Sequence, residues 1–184
     1  MLPLGTALPE FALRDLAGAV VTSQQFAGQP GLLVAFICTH CPYVKHIQRE
    51  FARFAREYRA RGLAVVGIAS NDAVSHPDDG PTGMARDARE QGYEFPYLYD
   101  ESQTVAKAFK AACTPDLFLF DSHLRLVYRG QFDDSRPGNN RPITGADLRA
   151  AADAVLAGQP VPAGQQASVG CNIKWKRGNE PTYA

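Results

Sequence analysis

The sequence has no excess of either charge. Its 19 Lys and Arg are balanced by 19 Asp and Glu, so a polyanion-binding surface, and with it a nucleic-acid partner, is not expected. It lacks any run approaching the roughly 20 apolar residues of a membrane span. Its first residues, "MLPLGTALPEFAL", have no basic start and are broken by Pro3, Gly5 and Pro9, unlike a secretory leader. A cytoplasmic location without a membrane partner is therefore the expectation. There is no internal repeat and no low-complexity tract, and 184 residues suit a single core. Cysteine is scarce: Cys38, Cys41, Cys113 and Cys171 are the only thiols. In a reducing compartment, four such residues point to catalysis or metal binding rather than to a structural disulfide framework.

What is present reads as alternating strands and helices. "EFALRDLAGAVVTSQQF" predicts a hairpin around Ala17-Gly18, and "LLVAFI" is a fully apolar run of strand length. Val44, Ile47, Phe51, Phe54, Ala55 and Tyr58 recur at helical spacing, with Gly62 as a stop, and "LAVVGIAS" is a second buried strand. Strand, helix and strand in this order make a right-handed βαβ unit. "NDAVSHPDDGPTG" reads as a loop, Thr82 as the cap of a short helix ending near Gly92, and "EFPYLYD" as a strand. Ser102 is expected to cap "QTVAKAFKA", "DLFLF" and "LRLVYRG" to form strands around an Asp121-Ser122-His123 turn, and Thr144 with Asp147 to open a last helix. The fold class is α/β, a central mixed sheet with helices on both faces.

The stretch "VAFICTHCPYVKHI" carries the chemistry. It puts two cysteines, three apart, where a buried strand turns into a helix. The first turn of a helix offers unsatisfied N–H groups and the positive end of the macrodipole, so a thiolate there is stabilised. Each unit of pKa depression corresponds to about 1.4 kcal/mol. Only the thiolate attacks a disulfide, and a spacing of three lets the second sulfur reach the first. His40, inside the motif, is read as the tuning residue: an imidazolium beside the Cys38 thiolate favours the reduced pair and makes the disulfide more oxidising. A solvated His40 without a role is the plainer alternative.

"CTHC" after "LLVAFI", the N-terminal "LPEFALRDLAGAVVTSQQFAGQPGLLV" and the later "TPDLF" together resemble the thioredoxin superfamily, in its thioredoxin-like and alkyl-hydroperoxide-reductase-like redoxin branch. "GQFDDSRPGNN" and "SVGCNIKWK" are similar to a cytoplasmic bacterial subgroup of it. The resemblance implies a thioredoxin-like domain over residues 1–158 and an extended C-terminal tail over 159–184. It also implies a thiol–disulfide oxidoreductase in which Cys38 is the exposed nucleophile and Cys41 the more buried resolving thiol. Pro115 would be a cis-proline facing them, with the Thr114 backbone free to pair with an extended substrate and Thr39 also on the substrate side. No cofactor is needed, because the cysteine pair carries the electrons. The partners would be a disulfide-containing protein or small-thiol substrate and an electron donor such as a thioredoxin reductase or glutathione system. Two departures stand out: Leu32 replaces the buried acid expected six residues before the first cysteine, and Ile37 replaces the usual tryptophan. Base assistance is left to Lys45, His46 or water, or is absent.

Two rival readings remain. A peroxiredoxin-type peroxidase would act through Cys41, which becomes the N-cap if Pro42 is the first helical residue. The threonine and proline that such enzymes carry three and seven residues earlier are here Cys38 and Val34. A zinc site could use Cys38, Cys41, Cys113 and Cys171, with His40 or His46 as substitutes, although only one CxxC is present. Cys113 reads as a small buried hydrophobe or a thiol near the site, and Cys171 as an accessory resolving thiol or a packed tail residue. Arg129, Asp133, Asp134 and Arg136 form either a substrate-recognition loop or a self-paired charge cluster. His46 is taken as part of the solvated helix face, and His76 and His123 as turn residues.

Overall fold

A computed structural model describes residues 2–183. Strands β1 (Ala12–Asp15) and β2 (Val20–Thr22) form the hairpin, closed by the Asp15 carboxylate, which accepts from the amides of Ala17 and Ala19. Next come β3 (Gly31–Phe36), α1 (Pro42–Ala60), β4 (Ala64–Ala69), α2 (Pro81–Gln91), β5 (Tyr97–Tyr99) and α3 (Thr104–Phe109). The chain continues with β6 (Cys113–Thr114), β7 (Asp116–Asp121), β8 (Leu126–Gly130), α4 (Ala146–Leu156) and β9 (Cys171–Asn172). Seven strands pair in the order β2-β1-β5-β4-β3-β7-β8, while β6 and β9 form a separate antiparallel pair. β3, β4 and β5 run parallel and the other pairs of the large sheet antiparallel, so the sheet is mixed as expected.

The apolar runs follow from burial on both faces. Along β3, Leu33 and Ala35 point to one side, against α1, Met84 of α2 and α4. Leu32, Val34 and Phe36 point to the other, against Phe11, α3 and Ile173 of the tail. The predicted face of α1 is buried along its whole length. Phe54, fully buried, stacks on Tyr58 at 4.3 Å and meets the edge of Phe132 at 6.1 Å. Truncating it to alanine would cost about 3–5 kcal/mol.

The helix starts differ from expectation. Neither Thr82, Ser102 nor Thr144 is an N-cap; those positions are Gly80, Gln103 and Gly145. Proline is pre-set for the first helical position, so Pro81 starts α2 two residues earlier. Gln103 is fully buried and its side-chain amide donates to the carbonyls of Ser70 and Lys174, a tertiary demand that fixes where α3 begins. At α4 the Asp133 carboxylate takes the amides of Thr144 and Gly145, at 2.6 and 2.7 Å. After α4 the chain turns back across the molecule as an extended tail tied to β8, β6 and α3. Among the described residues, no helix is long and apolar enough to cross a membrane.

Candidate active site

β3 and β4 end together: the Ile37 amide still donates to the Ile68 carbonyl at 3.0 Å before the chain turns away from the sheet. Pro42 is the first residue of α1 and Cys41 its N-cap. The antiparallel register of β7 on β3 sets Asp116 opposite Phe36, which brings Thr114 and Pro115 against the turn. The Thr114–Pro115 peptide bond is cis.

Thr114 touches both cysteines. Its hydroxyl lies 3.2 Å from Cys38 Sγ, and its carbonyl oxygen accepts from Cys41 Sγ at 3.2 Å. Cys38 is 1% and Cys41 0% exposed, so the expected exposed nucleophile is as buried as its partner. The tail runs alongside. β9 pairs antiparallel with β6, Cys171 opposite Thr114 and Asn172 opposite Cys113, so the Thr114 backbone, expected to be free for a substrate, is occupied by this chain. Gly170 makes the approach possible, since a Cβ there would stand 2.1 Å from the Thr114 carbonyl oxygen.

The two thiols differ in proton affinity. Hydrogen bonding with Cys41 and then burial raise Cys38, with the nearby charge of Asp79 adding to this. Hydrogen bonding from Cys38 lowers Cys41 to about 4; burial opposes that, while the Cys171 thiol and the Val44 amide in the first turn of α1 support it. Cys41 is therefore the sulfur that ionises first.

Behind the turn lies a residue that sequence reasoning treated only as loop. Asp79 is fully buried, and Thr39 N, Thr39 Oγ1, Asn71 Nδ2 and His40 Nδ1 reach its carboxylate at 2.8, 2.7, 2.7 and 2.5 Å. Burial pushes its pKa up, but the hydrogen bonds from Thr39 and Asn71 outweigh it and hold Asp79 below the usual carboxylate range. An ionised carboxylate only accepts, so Nδ1 of His40 donates the hydrogen of this bond. Thr39, expected on the substrate side, spends its amide and hydroxyl on the 78–79 segment. His76, taken as a turn residue, stacks on His40 with ring centroids 4.7 Å apart. Gly83 lets α2 press on this segment; a Cβ there would be 1.9 Å from the Asp78 carbonyl oxygen. A cleft of about 210 Å³ lined by His40, Lys45, Arg86 and Asp87 opens beside it.

Asn71 joins this network to the tail, because its side-chain oxygen accepts from the Lys174 amide at 2.8 Å. Cys113 is half-buried in β6, its Sγ 3.6 Å from the Pro115 carbonyl oxygen. The charged loop proves largely self-paired: Asp133 binds Ser135, Thr144 and Gly145, Arg136 binds Gln131, and Arg141 binds Asp134. Arg129 donates to the Leu2 carbonyl. His46 is not a solvated helix residue; it bonds Ser135 Oγ at 3.0 Å.

The four cysteines do not form a ligand set. Instead Cys38, His40 and Asp79 each place a donor atom within 4.8 Å of the others, the one such trio among the described residues. Four protein donors already converge on Asp79, matching the roughly four lone-pair positions of a carboxylate. The arrangement suits a hydrogen-bonded strut better than a cation site.

The AhpC/TSA family model matches residues 4–129. The chain belongs to the AhpC/TSA family. Its thioredoxin-like fold and redox-protein affinity are those the sequence resemblance implied. A hypothetical protein from Sinorhizobium meliloti 1021 is 52% identical and superposes with a TM-score of 0.95 over 97% of both chains. An uncharacterized conserved protein from Geobacillus kaustophilus, also 52% identical, gives 0.93 over 96% of this chain and 94% of its own. The chloroplastic peroxiredoxin Q of Suaeda salsa is 27% identical over 143 residues, 72% of this chain. The match spans 62% of that protein, less than two thirds of its length.

Proposed function

We infer that this AhpC/TSA-family protein is a thiol–disulfide oxidoreductase that cycles Cys38 and Cys41 between dithiol and disulfide. The observation that carries the reading is the convergence of both sulfurs on Thr114 at the start of α1. A thiolate of the pair attacks one sulfur of a substrate disulfide and expels the other as a thiolate. The second cysteine then attacks the mixed disulfide, closing the Cys38–Cys41 bond and releasing the reduced substrate. A thiol donor restores the pair. Because β9 fills the strand edge that an extended protein would use, the favoured substrate is a small-molecule disulfide of the glutathione type.

A second reading has support of its own. Cys41 is the N-cap of α1 and its thiol is lowered to about 4, which suits a peroxidatic thiolate attacking a hydroperoxide. Against it, Cys38 stands where a peroxiredoxin's threonine would be.

Equilibration in glutathione buffers of graded potential, with disulfides mapped by mass spectrometry, tests both. The expected result is a Cys38–Cys41 bond that titrates. A midpoint near about −270 mV marks a reductase, one near about −180 mV or above an oxidant. Absence of that bond, with Cys41 turning to sulfenate on addition of hydrogen peroxide, would replace this reading with the peroxidase.

A further inference from the structure

The oxidoreductase reading leaves one difficulty: neither sulfur of the pair meets solvent, so while the tail is docked neither a disulfide substrate nor a thiol donor has a direct approach to them. The chain supplies a route. Cys171 is partly exposed and stands in antiparallel register opposite Thr114, the residue whose carbonyl contacts Cys41 Sγ. A strand laid along Thr114 with a cysteine at that register is how an extended disulfide substrate would present its sulfur. The tail is held in this position at several points. Ser168 Oγ donates to the Gly130 carbonyl at 2.7 Å, the Ile173 amide to the Ala112 carbonyl at 3.1 Å, and the Lys174 amide to Asn71 at 2.8 Å. Gly170 sits immediately before the cysteine, where only a residue without a side chain fits against Thr114.

We propose that Cys171 is a third redox-active thiol of this site, a tethered substrate that takes over the disulfide by bonding to Cys41. The proposal rests on the dithiol cycle given above. In the exchange, the Cys171 thiolate attacks Cys41 Sγ of the oxidised pair. The Cys41–Cys171 bond forms as the Cys38–Cys41 bond breaks, and Cys38 leaves as a thiolate. The Thr114 hydroxyl, 3.2 Å from Cys38 Sγ, is placed to stabilise that leaving group. Cys38 then takes up the proton that Cys171 gave up, and no electrons are gained or lost. An external dithiol of the thioredoxin or dithiothreitol class reduces the transferred bond. It becomes a disulfide itself and returns two electrons and two protons to Cys41 and Cys171. The tail thus carries the disulfide from a closed site to a sulfur that a partner can reach. Burial first, and then hydrogen bonding with Cys41, raises Cys171 to about 11, while the Cys171 thiol helps to lower Cys41.

The full chain tests this in two arms. In a Cys38→Ser, Cys113→Ser variant only Cys41 and Cys171 remain, and one equivalent of diamide should yield a Cys41–Cys171 disulfide by peptide mapping. Circular dichroism before oxidation checks that the variant is folded. In the otherwise native chain, Cys171→Ser should slow reduction of the Cys38–Cys41 bond by dithiothreitol about tenfold or more, since the exposed relay sulfur is lost. If diamide leaves Cys41 and Cys171 unlinked in the folded variant and Cys171→Ser is reduced as fast as the native chain, the relay is wrong while the dithiol cycle stands. If no Cys38–Cys41 bond forms in the native chain either, the underlying reading falls with it.

Discussion

His40 Nδ1 lies 2.5 Å from Oδ2 of Asp79, a carboxylate without solvent exposure on a loop 39 residues away in sequence. The pair fixes the imidazole beside Cys38, and it makes Asp79 a positioning residue rather than one that touches substrate. It also ties the CxxC turn to Asn71 and, through Asn71, to the tail.

Asp79→Asn should destabilise the protein by about 2–3 kcal/mol, since charge-assisted hydrogen bonds are lost. Its folded pKa is depressed, so its stabilisation is present above the unfolded value of about 4 and is lost as pH falls through the folded value. Urea unfolding across pH 2–7 should give the variant a shallower acid limb than the native chain. Identical limbs would remove Asp79 from the account.

Asp116 behaves in the opposite sense. Burial beside the tail raises it to about 6, with the Ser168 hydroxyl and the Ala112 amide only partly opposing. Between about pH 4 and 6 the folded chain holds a proton that the unfolded chain has released, so this group favours folding as pH falls through 6. Asp116→Asn should therefore gain stability relative to the native chain at pH 8, about 3 kcal/mol, and little at pH 4. Thermal unfolding at the two pH values reads the difference; an equal effect at both contradicts it.

Thiolate absorbance near 240 nm should reveal one group ionising near pH 4 in the reduced protein, and Cys41→Ser should abolish that step. Cys38→Ser should move it upward, because the Cys38 thiol is the first cause of the depression. A lowest titration near the ordinary thiol range would assign no special acidity to the helix N-cap.

Gly170→Ala should loosen the tail at a cost of about 1–3 kcal/mol, the usual range for overpacking, since the clash is with Thr114 backbone. Hydrogen exchange reports it locally: the Ile173 and Lys174 amides should lose protection while the β3 and β4 amides keep theirs. Unchanged protection at Ile173 would mean that the strand tolerates the added carbon.

The parts of the site legible in the sequence are those encoded locally. "LLVAFI" followed by Cys-x-x-Cys-Pro states a buried strand, a turn and a helix start within a few residues, and Pro42 did become the first residue of α1. Helical spacing marked the inner face of α1 because that face meets one continuous core. Asp79 had no such signal, since a buried carboxylate and a solvated one look alike in "HPDDGP". The caps misled for a related reason: Thr144 has the right chemistry, but Asp133 reaches its amide from another loop. The Thr114 backbone expected to be free is occupied, because nothing around residue 114 announces a strand arriving from residue 171.

The pairing of β9 on β6 also bears on how the protein behaves in a crowded solution. A strand with open N–H and C=O groups is a template for another chain. Here the uncovered edge would sit over two free thiols, beside the apolar surface that Ile173 now fills. A second molecule docking there could join by strand pairing and by an intermolecular disulfide in one event. Ile173 and Lys174, bonded to Ala112 and Asn71, therefore guard against self-association: they hold the cover in place, so that the sulfurs meet a cysteine of their own chain before they meet a neighbour's.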